Sequence, residues 1–368
     1  MNRRDYLRTL GTAGVALVAT DIARGRDQAA VSSAIKRLEL VHTWTTVMSS
    51  SNYRDTLHVS YSRDGMTGHG EGAPIVRYHE NAESGGKAVA GIQAMLEAGN
   101  PLEYEKLLNL VFAKMEGQYA ARAAIDIALM DWVGQKLGTP LYQLWGLDPK
   151  DAPVTTFSIG IDTPEITAKK TREAAEFPIL KVKVGLATDE ATINAVRSVT
   201  DKPLRVDANE GWRDKEEAVR KINWLATKGV EFIEQPMPAE MIDETAWVKQ
   251  RVNIPVIADE ACHVSGDVPK LKGVFDGINV KLDKTGGTLE ALRSIHTARA
   301  MGMKVMIGCM ISSSCTVTAA AHLSPLVDYA DLDGNLLIKN DPFLGVTVKE
   351  GKLILPTGPG LGLRQRAA

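Results

Sequence analysis

The most regular feature of the chain is a beat of short apolar runs, each ending near polar or charged residues and each followed by a stretch with helical spacing. From about residue 150 the runs are TTFSIGI (residues 155–161), LKVKVG (180–185), PLRVDAN (203–209), EFIEQP (231–236), PVIADE (255–260), GINVKLD (277–283), KVMIGC (304–309) and YADLDG (329–334). Their starts lie about 22 to 28 residues apart, the length of one strand, one loop and one helix. Eight such units predict a closed parallel (β/α)8 barrel, an α/β fold of the TIM-barrel type. An open doubly wound sheet is the rival, but it normally has fewer strands, and its GxGxxG turn after the first strand is missing here.

Residues 37–150 lack this beat. They open with β-like segments (41–47 and 56–62), continue through a glycine turn at GHGEGAP (68–74) and end in helical patterns. One of these, ARAAIDIALMDWVGQKLG (121–138), stops at Gly138 just before Pro140. The expected organisation is an α+β capping unit over 37–150, the barrel over 151–340, and a glycine-containing segment over 341–368 that returns to the capping unit. Residues 1–36 are set apart as an export signal or extension. There Arg3, Arg4 and Arg8 precede a short apolar run from Leu10 to Thr20, which resembles a twin-arginine signal and predicts a periplasmic or exported protein. A plain N-terminal extension on a cytoplasmic protein is the alternative. Downstream, no stretch reaches the roughly 18 uninterrupted apolar residues of a membrane span.

Composition narrows the partners. With 44 % hydrophobic residues, 24 % charged residues and a formal charge of -2 over 368 residues, the chain has the make-up of an ordinary globular protein. It lacks the broad basic surface of a nucleic-acid binder. The three cysteines, Cys262, Cys309 and Cys315, show neither metal-ligand spacing nor a disulfide framework and read as free thiols.

The chemistry lies at the strand ends. In such a barrel the C-terminal rim carries the active site, and here it presents Lys181 and Lys183, Asp207 and Asn209, Glu234, Asp259 and Glu260, Lys281 and Asp283, then Asp331 and Asp333. Side chains at i and i+2 share a face, so Lys181 and Lys183 point inward together. Asp207, Glu234 and Asp259 stand on successive strands and offer hard oxygen ligands with no His or Cys cluster nearby. That set suits Mg2+, with Mn2+ as a substitute, and argues against zinc; helix capping by each carboxylate is the alternative. The second and sixth strands face each other across an eight-strand barrel, so Lys183 and Lys281 address opposite faces of a bound substrate. One removing a proton and the other returning one amounts to a 1,1-proton transfer that inverts a carbon. A lysine base must be partly neutral, and Lys181 supplies a like charge that lowers the pKa of Lys183.

Taken together, KxK at 181–183, DAN at 207–209, EQP at 234–236, ADE at 258–260 and Lys281 resemble the enolase superfamily, in its muconate-lactonizing subgroup, over about residues 37–360. The helix AAIDIALMDWVGQKLGTPLYQLWG (123–146) is similar to the end of that family's capping domain. Two further features, KLDKTGG (281–287) and DLDG (331–334), resemble dipeptide epimerases of the L-Ala-D/L-Glu type. The resemblance implies that Asp207, Glu234 and Asp259 bind one Mg2+, that Lys183 and Lys281 are the two bases, and that Lys181 supports the substrate carboxylate and enediolate. It also implies that Asp331 and Asp333 bind the ammonium of the dipeptide's N-terminal residue. Asn209 and Asp283 are further candidate substrate contacts from the same rim.

The segment WTTVMSSSNYRDT (44–56) is expected to close over the barrel mouth, with Arg54 as a candidate partner for a glutamate side chain and Arg77 as a second; each is otherwise a salt-bridge residue. The run MIGCMISSSC (306–315) is expected to line the pocket with small groups, and no GxSxG elbow accompanies its serines. The expected function is epimerisation of the C-terminal residue of a dipeptide, with L-Ala-D/L-Glu from peptidoglycan as the leading substrate. Other reactions of the subgroup (N-acylamino acid racemisation, o-succinylbenzoate synthesis, cycloisomerisation) are the enzymatic alternatives, and a periplasmic peptide-binding protein is the non-enzymatic one. The subgroup often forms homo-oligomers, and no interface is legible in the sequence.

Overall fold

The computed structural model describes residues 29–367. The twin-arginine-like segment lies outside the described residues. Three antiparallel strands come first: β1 (Ala30–Thr45), β2 (Ser50–Arg63) and β3 (Met66–Gly72), in the order β1-β2-β3. β1 begins at Ala30, upstream of the expected boundary at residue 37, and residues 30–39 pair with residues 62–53 of β2. Most side chains of β1 are exposed, so its start carries no apolar alternation to read.

The segment GHGEG is not a turn. It is the core of β3, and Gly68, Gly70 and Gly72 share the face that meets helix Tyr119–Leu137. A Cβ at any of the three would collide with a carbonyl oxygen of that helix, those of Ala128, Ala124 and Ala120 respectively. The glycines are therefore a contact surface that lets the helix lie flush on the strand. Every residue of that helix from Ala123 to Gly134 is buried, because one side faces the sheet and the other faces the barrel.

The barrel follows as β4 (Phe157–Ile159), β5 (Leu180–Lys183), β6 (Leu204–Asp207), β7 (Val230–Glu234), β8 (Val256–Ala258), β9 (Gly277–Lys281), β10 (Lys304–Gly308) and β11 (Tyr329–Asp331). Each strand lies in one of the eight apolar runs, allowing one residue at the start of β7. All are parallel and adjacent in chain order, and a parallel bridge between Thr155 and Ala330 brings the first and last together. Outward residues such as Val182, Val206, Ile233, Ile278 and Ile307 pack against the helices. Inward, Phe232, Ile257 and Met306 form an apolar floor with Tyr329. The period of two then places Asp207, Glu234, Asp259 and Lys281 in the layer above that floor.

Buried acids join cap and barrel. Asp126 on helix Tyr119–Leu137 accepts the Thr288 N–H and hydroxyl, both at 2.6 Å, at the start of helix Thr288–Ala300. Gly287 has φ 124°, and a Cβ there would strike Asp126. That contact accounts for the second glycine of KLDKTGG. Glu71 accepts the Ser313 N–H at 3.0 Å and the Ser313 hydroxyl at 2.5 Å, at the start of helix Ser314–Leu323. The tail returns to helix Tyr119–Leu137, where the Leu361 N–H donates to Asp131 at 2.7 Å. Among the described residues no helix is long and apolar enough to cross a membrane.

Candidate active site

The C-terminal ends of β6, β7 and β8 bring Asp207, Glu234 and Asp259 together, all buried, with one carboxylate oxygen of each within 4.8 Å of the others. Lysines surround them. Lys183 Nζ lies 2.6 Å from Asp207 Oδ2, and Lys281 Nζ lies 2.6 Å from Asp259 Oδ2. Lys181 sits between carboxylates, 2.7 Å from Glu234, 2.7 Å from Asp331 and 3.2 Å from Asp207.

These charges shape one another. Burial works against the Lys181 ammonium, but Asp331, Glu234 and Asp207 outweigh it and hold its pKa well above the ordinary value. Lys181 is thus a fixed cation. Burial also pushes Asp207 and Asp259 upward, yet Lys183 and Lys181 hold the first below the usual carboxylate range, while Lys281 and Lys284 hold the second well below it. Glu234 is raised to about 7 by burial and by Asp207. Its Oε2 is buried and accepts no hydrogen bond among the described residues, although Lys181 is 2.7 Å away in an unaligned ion pair. Three convergent carboxylates with an orphaned oxygen, and no nitrogen or sulfur donor among them, fit a hard divalent cation of the Mg2+ kind.

Beyond the trio, Asp331 is already engaged. Its Oδ2 takes Lys181, and its Oδ1 accepts the Thr156 hydroxyl at 2.5 Å and the Ser158 hydroxyl at 3.2 Å. Asp333 is held on one side only, where its Oδ2 accepts the Ser158 N–H at 2.6 Å. Burial and the neighbouring Asp331 raise Asp333 to about 7. Asn209 donates to Glu260 at 3.1 Å through its side chain and to Asp207 at 2.9 Å through its N–H. A cavity of about 150 Å3 joins these groups, lined by Lys181, Lys183, Lys281, Asn209, Asp331 and Asp333 from the barrel and by Trp44, Met48 and Arg54 from the β1–β2 hairpin. That hairpin is docked on the mouth through the Ile161 N–H, which donates to the Thr45 carbonyl at 3.0 Å. Arg54 has no carboxylate partner among the described residues, and burial lowers its pKa.

Two expected contacts go elsewhere. Asp283 does not line the cavity; it is fully buried between barrel and cap, and its Oδ1 accepts the Ala73 N–H at 2.7 Å. The turn after Lys281 swings it away from the mouth, since Leu282–Thr285 is already helical. Arg77 borders the cavity but forms a forked pair with Glu210, at 2.7 and 3.1 Å. Ser313 and Ser314 of MISSSC hold Glu71 and Asp341, while Cys309, Met310 and Ile311 line the cavity.

Family models match residues 165–367 as "Enolase C-terminal domain-like" and residues 31–146 as "Mandelate racemase / muconate lactonizing enzyme, N-terminal domain". The chain belongs to the enolase superfamily. Within that superfamily it is 42 % identical to an L-Ala-D/L-Glu epimerase of Bacteroides thetaiotaomicron, over 98 % of this chain and 99 % of that one. Among solved structures it is similar to an L-Ala-D/L-Glu epimerase from Bacillus subtilis in a substrate-liganded complex (TM-score 0.87, 30 % identity, 92 % of this chain and 99 % of that one). It is also similar to a dipeptide epimerase from Enterococcus faecalis complexed with Mg and L-Leu-L-Tyr (TM-score 0.86, 33 % identity, 92 % and 99 %).

Several residues of this enolase-superfamily site escaped the sequence reading. Asn279 donates to Glu234 Oε1 at 2.7 Å; it stands two residues before Lys281, so the face-sharing rule that paired Lys181 with Lys183 also marks it. Lys284, one helical turn beyond Lys281, holds Asp259 Oδ1, the Asp259 carbonyl and the Asn279 carbonyl. Gln235 accepts the N–H groups of Asp259 and Ala261 at 2.9 and 3.2 Å, which explains the glutamine of EQP. Gly308 leaves room for Lys281, since a Cβ there would lie 2.8 Å from Asn279 and 3.2 Å from the Lys281 Cε.

Proposed function

We propose that this chain is an Mg2+-dependent dipeptide epimerase that inverts the α-carbon of the C-terminal residue, with L-Ala-D/L-Glu as the leading substrate. The observation that carries this reading is the placement of Lys183 and Lys281 on opposite walls of a cavity that also holds a one-sided carboxylate, Asp333, and a guanidinium without a carboxylate partner among the described residues, Arg54. Asp207, Glu234 and Asp259 would hold the cation, which when bound would supply positive charge where the substrate carboxylate becomes electron-rich.

One lysine takes the α-proton from one face, and the other delivers a proton to the opposite face. Lys181, held charged by three carboxylates, steadies the substrate carboxylate as negative charge grows. Asp333 accepts hydrogen bonds from the ammonium of the N-terminal residue, with Asp331 behind it. Arg54 pairs with a glutamate side chain. Arg3 and Arg4 support export, which would place the enzyme near peptides released from the cell wall.

The test is incubation of the protein with L-Ala-L-Glu in D2O and Mg2+, followed by mass spectrometry and chiral separation. Deuterium at the glutamate α-carbon and formation of L-Ala-D-Glu are expected, with both lost on chelation and restored by Mg2+. Exchange into N-acylamino acids and into no dipeptide would contradict the reading and favour an N-acylamino acid racemase.

A further inference from the structure

Three residues that follow the carboxylates of the trio have a left-handed backbone: Asn209 (φ 43°) and Glu210 (φ 66°) after Asp207, and Gln235 (φ 35°) after Glu234. None is glycine, so each conformation is unfavourable and persists only where its surroundings over-determine it. Hydrogen bonds join these turns into one strap. The Glu210 N–H donates to the Gln235 carbonyl at 2.9 Å, and the Gln235 side chain accepts the Asp259 N–H at 2.9 Å, so the strap runs past all three carboxylates. The first turn also aims its own carboxylate. The Asn209 N–H donates to Asp207 Oδ1 at 2.9 Å, which leaves Oδ2 toward Lys183.

The capping unit takes hold of this strap at Glu210. Glu210 Oε2 accepts a hydrogen bond from Arg77 Nε at 2.7 Å, and its Oε1 accepts Arg77 Nη2 at 3.1 Å and the Ala239 N–H at 2.8 Å. Arg77 belongs to the turn Val76–Tyr78 of the cap, whereas Glu210 follows β6 and Ala239 follows β7. One carboxylate therefore ties the cap to the loops after two of the three ligand-bearing strands. The Arg77 side chain is 32 % exposed, and an ion pair so placed adds little stability by itself. What its fork does supply is a fixed direction for the Glu210 side chain.

We propose that Arg77 is a positioning residue for the carboxylate trio: acting through Glu210, it holds the left-handed turn that presents Asp207, so that the capping unit sets the affinity of the barrel for its divalent cation. The proposal rests on the Mg2+ reading above. Groups that orient metal ligands without touching the metal are typically worth about 10- to 100-fold in affinity.

The experiment titrates Mn2+ into the full-length protein without substrate, reads free Mn2+ by electron paramagnetic resonance, and uses Mg2+ as competitor. Arg77→Met and Glu210→Gln are each expected to weaken Mn2+ binding about 10- to 100-fold. The double variant is expected to bind no more weakly than the weaker single one, because both changes break the same link. Arg77→Lys keeps the charge but not the fork; a smaller loss is expected, and this variant carries the test if Arg77→Met does not fold. Arg293→Met is the control, since it breaks another pair between cap and barrel, with Glu105 at 2.7 Å, and is expected to leave Mn2+ affinity unchanged. Unchanged affinity in the folded Arg77 variants, additive losses in the double variant, or an equal loss in Arg293→Met overturns the positioning role and leaves the metal site standing. No Mn2+ binding by the wild type overturns the metal site, and the positioning role with it.

Discussion

Lys183 and Lys281 reach the carboxylate trio from opposite sides of the barrel: Lys183 Nζ is 2.6 Å from Asp207 on β6, Lys281 Nζ is 2.6 Å from Asp259 just past the end of β8, and Glu234 lies on β7 between them. The relation follows from topology. Residues on the second and sixth of eight strands are diametrically placed, and the alternating pleat turns both side chains inward. The same pleat sets Lys181 one step deeper than Lys183, among carboxylates.

Lys181 therefore bears on stability as well as chemistry. Its ammonium is 1 % exposed and faces Glu234, Asp331 and Asp207. Removing one partner from a buried charge cluster leaves the others uncompensated, at a cost of about 3–5 kcal/mol. Lys181→Met is expected to lose about that much in urea denaturation at pH 7, whereas a loss below about 1 kcal/mol would mean that water reaches these carboxylates.

The glycines of β3 give a second expectation. Gly70→Ala would drive a Cβ into the Ala124 carbonyl of helix Tyr119–Leu137, and neither strand nor helix has room to yield. Destabilisation of about 3 kcal/mol is expected from such overpacking, read as a shift in the urea midpoint. Gly91→Ala, at an exposed position inside helix Ala82–Ala98 with nothing within 4 Å of the new Cβ, serves as the control without overpacking and is expected to stabilise by up to about 1 kcal/mol.

A third concerns pH. Burial holds Asp126 up at about 6, against an ordinary 3.8, so the folded chain binds that proton more tightly than the unfolded one. The associated stability is fully present below about pH 4 and is lost as pH rises through about 6. Asp126→Asn removes the titration. Stability of the wild type relative to Asp126→Asn is expected to fall by about 2–3 kcal/mol between pH 4 and pH 7, measured by paired urea melts. A constant difference would show that the Thr288 bonds keep the carboxylate ionised throughout.

The barrel and the heart of the site were legible because both rest on periodicity. A run such as GINVKLD encodes its strand, its inward face and its rim position at once, so Lys281 is placed by local sequence alone. What escaped depends on neighbours far along the chain. GHGEG reads as a turn until helix Tyr119–Leu137 is laid against it, and Ala30 to Lys36 are mostly exposed, with no alternation to mark a strand. Asp283 and Arg77 are the right residue types near the right place, yet Ala73 and Glu210 claim them. Lys284 and Asn279 matter because of Asp259 and Glu234; spacing turns Asn279 inward with Lys281, but it does not name the cross-strand partner of either.

The two-base account is tested most directly by α-proton exchange in the single-lysine variants. Lys183→Ala and Lys281→Ala are each incubated in D2O and Mg2+ with L-Ala-L-Glu and, separately, with L-Ala-D-Glu. Both variants are expected to lose epimerisation by about 10²- to 10⁴-fold, while each retains exchange with one epimer only, and the two retain opposite ones. Exchange with both epimers in either variant, or retention of the same epimer by both, would contradict the assignment of one lysine to each face.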